Sequence, residues 1–375
     1  MQKKLALYLH FPFCTKKCNY CNFYSIPYDA DLVHKYCSGL RQEIINFPYK
    51  NDYKVITIYL GGGSPSLIPF HELVSTINLI REKFYLDKEI EFTLEANPIH
   101  VSESKAENWR ITGVNRISMG AQSFNDGELS KLGRLHSSTE IGIAANKIKE
   151  ICCNNISLDL MYGIPGQTMK SWLNSLQKAI KLSPKHISSY CLKLEKETFL
   201  AENKAKYNFP DEELERKMYY KMISELQKKD YEQYEISNFG KKSYYSRHNT
   251  HIWEGGEYVG LGAAAHSFYK MQRIRNKSDI KSYLNKLKET NNGIDKKRKI
   301  STQEFMVDKI MLGLRLNKGI SLPKFHAEFG IDLLDKFGEQ INKFLKNNYL
   351  TIEDERLKFT SKALFISNSI LSEFI

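Results

Sequence analysis

Six apolar runs rich in β-forming residues divide the first half of the chain: Leu5–Phe11, Val55–Leu60, Ile90–Ala96, Arg116–Gln122, Ile156–Tyr162 and His186–Leu194. Each is predicted as a strand. Between them the apolar spacing changes to three and four. In Asp31–Phe47 the residues Leu32, Tyr36, Leu40, Ile44 and Phe47 share one helical face, and Phe70–Phe84 repeats the pattern. Strand followed by helix, repeated, predicts βαβ units and a parallel sheet. Six units suit a partial (β/α)6 barrel of the TIM type or a doubly wound sheet. A closed eight-fold barrel would need about 250 residues and two further strands.

The second half has a different texture. Asp211–Lys229 reads as an amphipathic helix, while Tyr231–Phe239 and Ser243–Phe268 are irregular, aromatic and glycine-rich. Lys277–Lys299, rich in lysine and asparagine, reads as an exposed helix and linker. From Ser301 onward, Gln303–Leu314 and Leu333–Asn347 are helical in spacing. Tyr349–Ile352 and Leu357–Thr360 flank Glu353–Arg356 as a hairpin, and a last helix is expected from Ser361 towards Phe374. The expected organisation is a barrel over 1–240, an irregular connection over 241–300, and a small, mostly helical, winged-helix-like domain over 301–375.

Composition narrows the class. The 375 residues are 42% hydrophobic with no run of 18 apolar positions, so no transmembrane segment is expected. The basic start, Met1 to Lys4, leads into too short an apolar run for a signal peptide. A net charge of +12 suits an anionic partner. Nucleic acid is not expected to be that partner, because Leu333–Asn347 mixes Asp335, Lys336, Glu339, Lys343 and Lys346 with no basic stripe. Seven cysteines without a spaced framework argue for a reducing compartment, the cytoplasm. Cys37, Cys152, Cys153 and Cys191 fall in helix or strand patterns and read as small core residues.

Parallel α/β folds gather ligands at the carboxyl ends of their strands. In this chain chemically capable residues stand there repeatedly. Strand one runs into a cysteine loop and strand two into Gly61-Gly62-Gly63-Ser64. Strand three ends in Glu95-Ala96-Asn97-Pro98, strand four in Gly120-Ala121-Gln122-Ser123, and strand five carries Asp159. Read one at a time, the glycines could form a tight connection, Glu95 a helix cap, Gln122 a packing residue and Asp159 a lysine partner.

The loop holds Cys14, Cys18 and Cys21 at C-x3-C-x2-C spacing. A structural zinc site could use His10 or His34 as a fourth ligand, but zinc sites usually bring a second ligand pair, and none follows. Three close thiolates suit a [4Fe-4S] cluster with one iron left open. Two histidines and an indole in His248-Asn249-Thr250-His251-Ile252-Trp253 are either loop residues or haem ligands, with His266 a third candidate. Gly260-Leu261-Gly262-Ala263-Ala264-Ala265 mimics a dinucleotide fingerprint outside its strand–turn–helix context and is set aside.

With Tyr20 before its third cysteine, the loop resembles the signature of the radical S-adenosylmethionine superfamily. That resemblance implies a cluster on the three cysteines, with the amine and carboxylate of S-adenosylmethionine on the open iron and cleavage of the sulfonium to a 5′-deoxyadenosyl radical. It assigns Gly61, Gly62, Gly63 and Ser64 to the methionine amine, and Glu95, Gln122, Arg134 and Asp159 to the nucleoside and carboxylate. Tyr8 falls beside the cluster, and Tyr20 and Phe23 join the cofactor contacts.

Leu7–His10, the cysteine loop, Gly61–Ser66, Glu95–Pro98, Asn115–Ser123, Leu132–His136, Asp159–Pro165 and His248–Trp253 are together similar to the oxygen-independent coproporphyrinogen III oxidase family. Within it they most resemble the HemW branch of haem chaperones. The oxidases carry a fourth cysteine where this chain has Phe23, and an N-terminal extension before a motif that here begins at Cys14. His248-Asn249-x-x-x-Trp253 resembles the branch's haem-linked H-N-x-x-Y-W segment, with Ile252 in place of tyrosine. The resemblance implies haem as cargo held by His248, Asn249 and Trp253, delivery to an acceptor such as a respiratory haem protein, and at most peripheral membrane contact. The rival it implies is oxidative decarboxylation of coproporphyrinogen III.

Overall fold

A computed structural model describes residues 2–374. The six expected strands form as β1 (Lys3–Phe11), β2 (Tyr53–Gly62), β3 (Tyr85–Ala96), β4 (Arg116–Gln122), β5 (Ile156–Tyr162) and β6 (His186–Cys191). They pair in parallel in chain order. Their crossovers carry α1 (Ala30–Asn46), α2 (Phe70–Lys83), α3 (Glu103–Ile111), α4 (Ser138–Lys147) and α5 (Met169–Lys181), and α6 (Glu212–Gln227) follows β6.

The helix starts are encoded locally. Asp29, Ser137, Thr168 and Asp211 each accept a hydrogen bond from a first-turn amide, contributing about 1 kcal/mol apiece. The buried stripes of these helices, including Leu40, Ile44, Leu73, Ile77, Trp109, Ile141, Trp172 and Leu176, join Leu5, Leu7, Ile58, Leu94, Ile117, Leu158 and Ile187 in one core. That apolar side is what the expected periodicity recorded.

The other side of the sheet is unlike a filled barrel. Alternate positions on β4, β5 and β6, among them Arg116, Ser118, Gln122, Ser157, Asp159, Ser188 and Tyr190, face a common cavity. Branched apolar residues, which usually fill such an interior, are replaced here by polar ones. The sheet stays open, with distinct edge strands.

Residues 241–300 differ from the expected irregular connection. With β7 (Glu232–Glu235) and β8 (Asn238–Gly240) extending the β6 side, β9 (Tyr258–Leu261), β10 (His266–Tyr269), β11 (Gln272–Asn276) and β12 (Ile294–Lys299) extend the β1 side. The result is a twelve-stranded sheet in the order β12-β11-β10-β9-β1-β2-β3-β4-β5-β6-β8-β7. These strands are short, and the exposed edge β12 is Ile294-Asp295-Lys296-Lys297-Arg298-Lys299, so neither length nor alternation marks them. The fingerprint mimic belongs to this extension. A side chain on Gly260 would strike the His266 carbonyl at 2.2 Å, and Gly262 has a φ of +102° beside Tyr36.

The chain also carries α7 (Arg247–Trp253) and α8 (Ile280–Thr290) in this stretch. Beyond it, α9 (Thr302–Gly313), α10 (Leu322–Phe329) and α11 (Leu333–Lys346) surround a three-stranded sheet of β13 (Ile320–Ser321), β14 (Leu350–Glu353) and β15 (Arg356–Phe359), ordered β13-β15-β14. Met306, Ile310, Phe337, Ile341, Phe344, Leu357 and Phe374 form its separate core. The expected final helix is broken into short turns at 361–363, 367–371 and 372–374. The break has a cause: Leu364, Phe365 and Ile366 reach towards the barrel and line its cavity.

Candidate functional site

The cavity at the carboxyl ends of the strands has a volume of about 1060 Å³. The cysteine loop forms one wall. It leaves β1 at Pro12, and the short parallel pairing of Phe13–Cys14 with Ile26–Pro27 closes it. Gly63 and Ser64 amides donate to the Phe11 and Phe13 carbonyls at 2.8 Å, tying the loop to the end of β2. All three sulfurs are partly exposed and line the cavity. Ser64 donates to Cys14 Sγ at 3.7 Å and Arg134 to Cys18 Sγ at 3.4 Å. Burial pushes the Cys14 and Cys21 thiols above their ordinary range, with nearby hydroxyl and backbone donors opposing it.

The donor geometry separates two metal chemistries. Among the described residues, the one trio of His, Cys, Asp or Glu donors drawn within 4.8 Å of one another lies elsewhere, so the three thiols do not converge as ligands of one zinc ion would. Thiols on a shared cavity wall, spread more widely than a mononuclear site allows, fit a cluster in which each sulfur meets its own iron.

The triple glycine is explained by packing. A side chain on Gly61 would lie 3.0 Å from both Tyr8 and Tyr59, on Gly62 2.6 Å from His10, and on Gly63 2.7 Å from the Phe13 carbonyl. Gly62, Gly63 and Ser64 line the cavity; Gly61 and Tyr8 do not. Tyr8 instead stacks on Tyr59, with its hydroxyl 2.9 Å from His10 Nδ1. It supports the wall from behind.

Two carboxylates also line the cavity. Glu95 accepts from Tyr59 at 2.8 Å and from the Gly62 amide at 3.3 Å. Burial raises it from an ordinary 4.5 to about 7, against the Tyr59 bond and with help from Asp159. Asp159 accepts from Ser118 and Ser157, at 3.1 and 3.2 Å. Burial raises it to about 6, opposed by Arg116. Desolvated carboxyls facing a cavity recover their charge when a cationic or hydroxyl-bearing ligand arrives. Gln122, with a φ of +65°, is held by Tyr190, which donates to its Oε1 at 2.9 Å. Arg134 anchors one end on the Gly120 carbonyl at 2.7 Å, while its buried Nε has no partner in the described structure. The lining thus offers two carboxylates, an amide, a buried guanidinium and three thiols to a ligand. Tyr20 and the 64%-exposed Phe23 complete the wall.

The histidine motif behaves differently. His248 is 3% exposed and does not line the cavity. Its Nδ1 sits 2.8 Å from the Thr57 hydroxyl, its ring packs 4.9 Å from Tyr59, and its amide donates to Glu91 at 3.0 Å. Burial, with His251 and Arg116 adding to it, lowers the ring to about 3, so it is neutral. His251 Nε2 lies 3.0 Å from the Glu257 carbonyl. Of the expected haem contacts only Asn249 reaches the cavity. Trp253 stacks under Arg315 at 4.5 Å.

Several lining residues escaped sequence reasoning. Tyr190 lies near the end of β6, where the positional rule could have found it, as it found Asn97 after β3. Arg315 and Leu364–Ser369 had no such signal, since they come from the C-terminal unit.

Comparison with known proteins places the chain by family and fold. The model of the radical SAM superfamily matches residues 8–179, and that of the HemN C-terminal domain matches 300–366. The heme chaperone HemW of Lactococcus lactis subsp. lactis (strain IL1403) is 31% identical over 377 residues, covering 100% of this chain and 98% of that protein. The heme chaperone HemW of Bacillus subtilis (strain 168) is 31% identical over 374 residues, covering 99% of each. The solved structure of coproporphyrinogen III oxidase (HemN) from Escherichia coli superimposes with a TM-score of 0.88 at 22% identity, covering 100% of this chain and 90% of that one. At that identity the likeness establishes the fold alone.

Proposed function

This chain belongs to the HemW family within the radical SAM superfamily, and from that premise we propose that it is a cytoplasmic haem chaperone, binding haem and passing it to an acceptor such as a respiratory haem protein. The observation that carries the reading is its full-length likeness to two proteins named heme chaperone HemW, across barrel and C-terminal unit alike. Among the described residues no helix is long and apolar enough to cross a membrane.

The superfamily brings a [4Fe-4S] cluster and S-adenosylmethionine. Cys14, Cys18 and Cys21 would hold the cluster, which when bound supplies an electron for reductive cleavage of the sulfonium. Gly62, Gly63 and Ser64 would border the methionine end, while Glu95, Gln122, Asp159 and Arg134 would offer the acceptors and cation that a ribose and a carboxylate need. Tyr8 and Gly61 stand behind that wall and do not line the cavity. Tyr20 and Phe23 line the cysteine side of the cavity.

His248, Asn249 and Trp253 remain the haem candidates, under a condition set by packing. The His248 ring meets haem only once α7 leaves Thr57 and Glu91; Asn249 already faces the cavity.

The deciding experiment offers haem and coproporphyrinogen III in parallel to the anaerobic, cluster-loaded chain with S-adenosylmethionine. The expected result is a bound Soret band, transfer of haem to an apo-haem protein, and unchanged coproporphyrinogen. Decarboxylated product overturns the reading.

A further inference from the structure

The outer surface of the barrel carries a second convergence of ligand-type side chains, remote in role from the cavity. Helix α1 packs against α2, and where their first turns meet His34 projects from one helix and His71 and Glu72 from the other. His34 Nδ1 is 2.6 Å from Glu72 Oε1, and His71 Nε2 is 3.3 Å from the same oxygen. The three donor atoms lie within 4.8 Å of one another, the one such trio among the described residues. The Glu72 side chain is 1% exposed, whereas His34 and His71 are 68% and 74% exposed. A carboxylate is thus sunk beneath the surface with two solvent-open imidazoles over it.

We propose that His34 Nδ1, His71 Nε2 and Glu72 Oε1 bind a divalent transition-metal ion of the zinc class, with water as the fourth ligand. Two imidazoles and one carboxylate are a recurrent zinc donor set, and the imidazoles exclude the hard cations magnesium and calcium. With metal–ligand bonds of about 2.1 Å, tetrahedral donors stand about 3.4 Å apart. The His71–Glu72 spacing already matches. His34, at 2.6 Å from Glu72 and 68% exposed, would need to open by about 0.8 Å to reach the same spacing.

Arg41 fixes the direction of the carboxylate. It donates to Glu72 Oε2 and so orients the carboxylate with Oε1 towards the histidines. Supporting bonds of this kind fix a ligand's direction. Simple charge pairing between Arg41 and Glu72 accounts for one oxygen and leaves two imidazoles aimed at the other. Cys37, one turn along α1, is buried and lies outside the converging trio. Because Arg41 and the amino end of α2 both oppose a cation, filling is expected at moderate rather than trace metal concentration. An ion there would clip α1, which starts just beyond the cysteine loop, to α2.

The test titrates cobalt(II), anaerobically, into the cluster-loaded chain and into a Cys14→Ser/Cys18→Ser/Cys21→Ser variant. One equivalent should bind in both, with tetrahedral d–d absorption and no sulfur-to-metal band, so that the result stands apart from the fate of the cluster reading. His34→Gln and His71→Gln, both at exposed positions that leave the fold intact, should each weaken binding about tenfold or more. Absence of cobalt binding, or equal affinity in the His34→Gln/His71→Gln double variant, overturns the proposal.

Discussion

The cysteine loop and helix α7 both carry ligand-type residues within a few positions, and the structure treats them oppositely. The three thiols stand partly exposed on a cavity wall, with weak sulfur contacts to Ser64 and Arg134. His248 is enclosed by Thr57, Tyr59 and the Glu91-bound start of its own helix. A side chain already engaged in holding the fold together must be released before it can take a ligand. The thiols have no such engagement, so their chemistry is available as they stand.

The sharpest way to break this contrast is to remove a thiol. Cys18→Ala should abolish iron and sulfide loading on anaerobic reconstitution while far-UV circular dichroism and the melting of the unloaded chain stay nearly unchanged. A large loss of stability would make the loop a folding element like α7. His248→Ala should do the reverse, costing about 2–3 kcal/mol in denaturant unfolding through the unpaired Thr57 hydroxyl and lost ring packing. Unchanged stability with lost haem binding would place His248 in the ligand class after all.

A smaller effect sits in the carboxylates. Glu95 has a folded value of about 7 against an ordinary 4.5, so the folded state favours its neutral form. Its contribution to stability is full below pH 4.5 and disappears as pH rises through 7. The melting temperature of the unloaded chain, taken relative to Glu95→Gln so that the buried histidines cancel, should therefore fall over that window. The smallest expected effect is at Phe23, 64% exposed on the cavity rim. Phe23→Ala should leave stability within about 0.5 kcal/mol and iron loading intact. A loss of cluster there would show that the loop needs its aromatic cover.

Much of the barrel was legible because its signals are local. β1–β6 announce themselves by apolar runs, α1 and α2 by three-and-four spacing, and the strand-end rule led to Glu95, Gln122 and Asp159. The extension β9–β12 was not legible, because four- to six-residue strands with charged edges leave no period to read. The broken segment after Ser361 was misread as one helix for a related reason. Leu364, Phe365 and Ile366 are apolar towards a neighbour far away in sequence, and that demand overrides helical continuity.

By itself the sequence determined the cysteine spacing, the chemistry at the strand ends and, through both, the family. Each is written in residues a few positions apart, where spacing dictates which side chains share a loop or a face. Only the tertiary structure decided that His248 is enclosed, that Arg315 and Leu364–Ser369 close the cavity, and that His34 meets His71 and Glu72. Those outcomes depend on which distant segments pack together, and burial and convergence are properties of that packing rather than of any one stretch of chain.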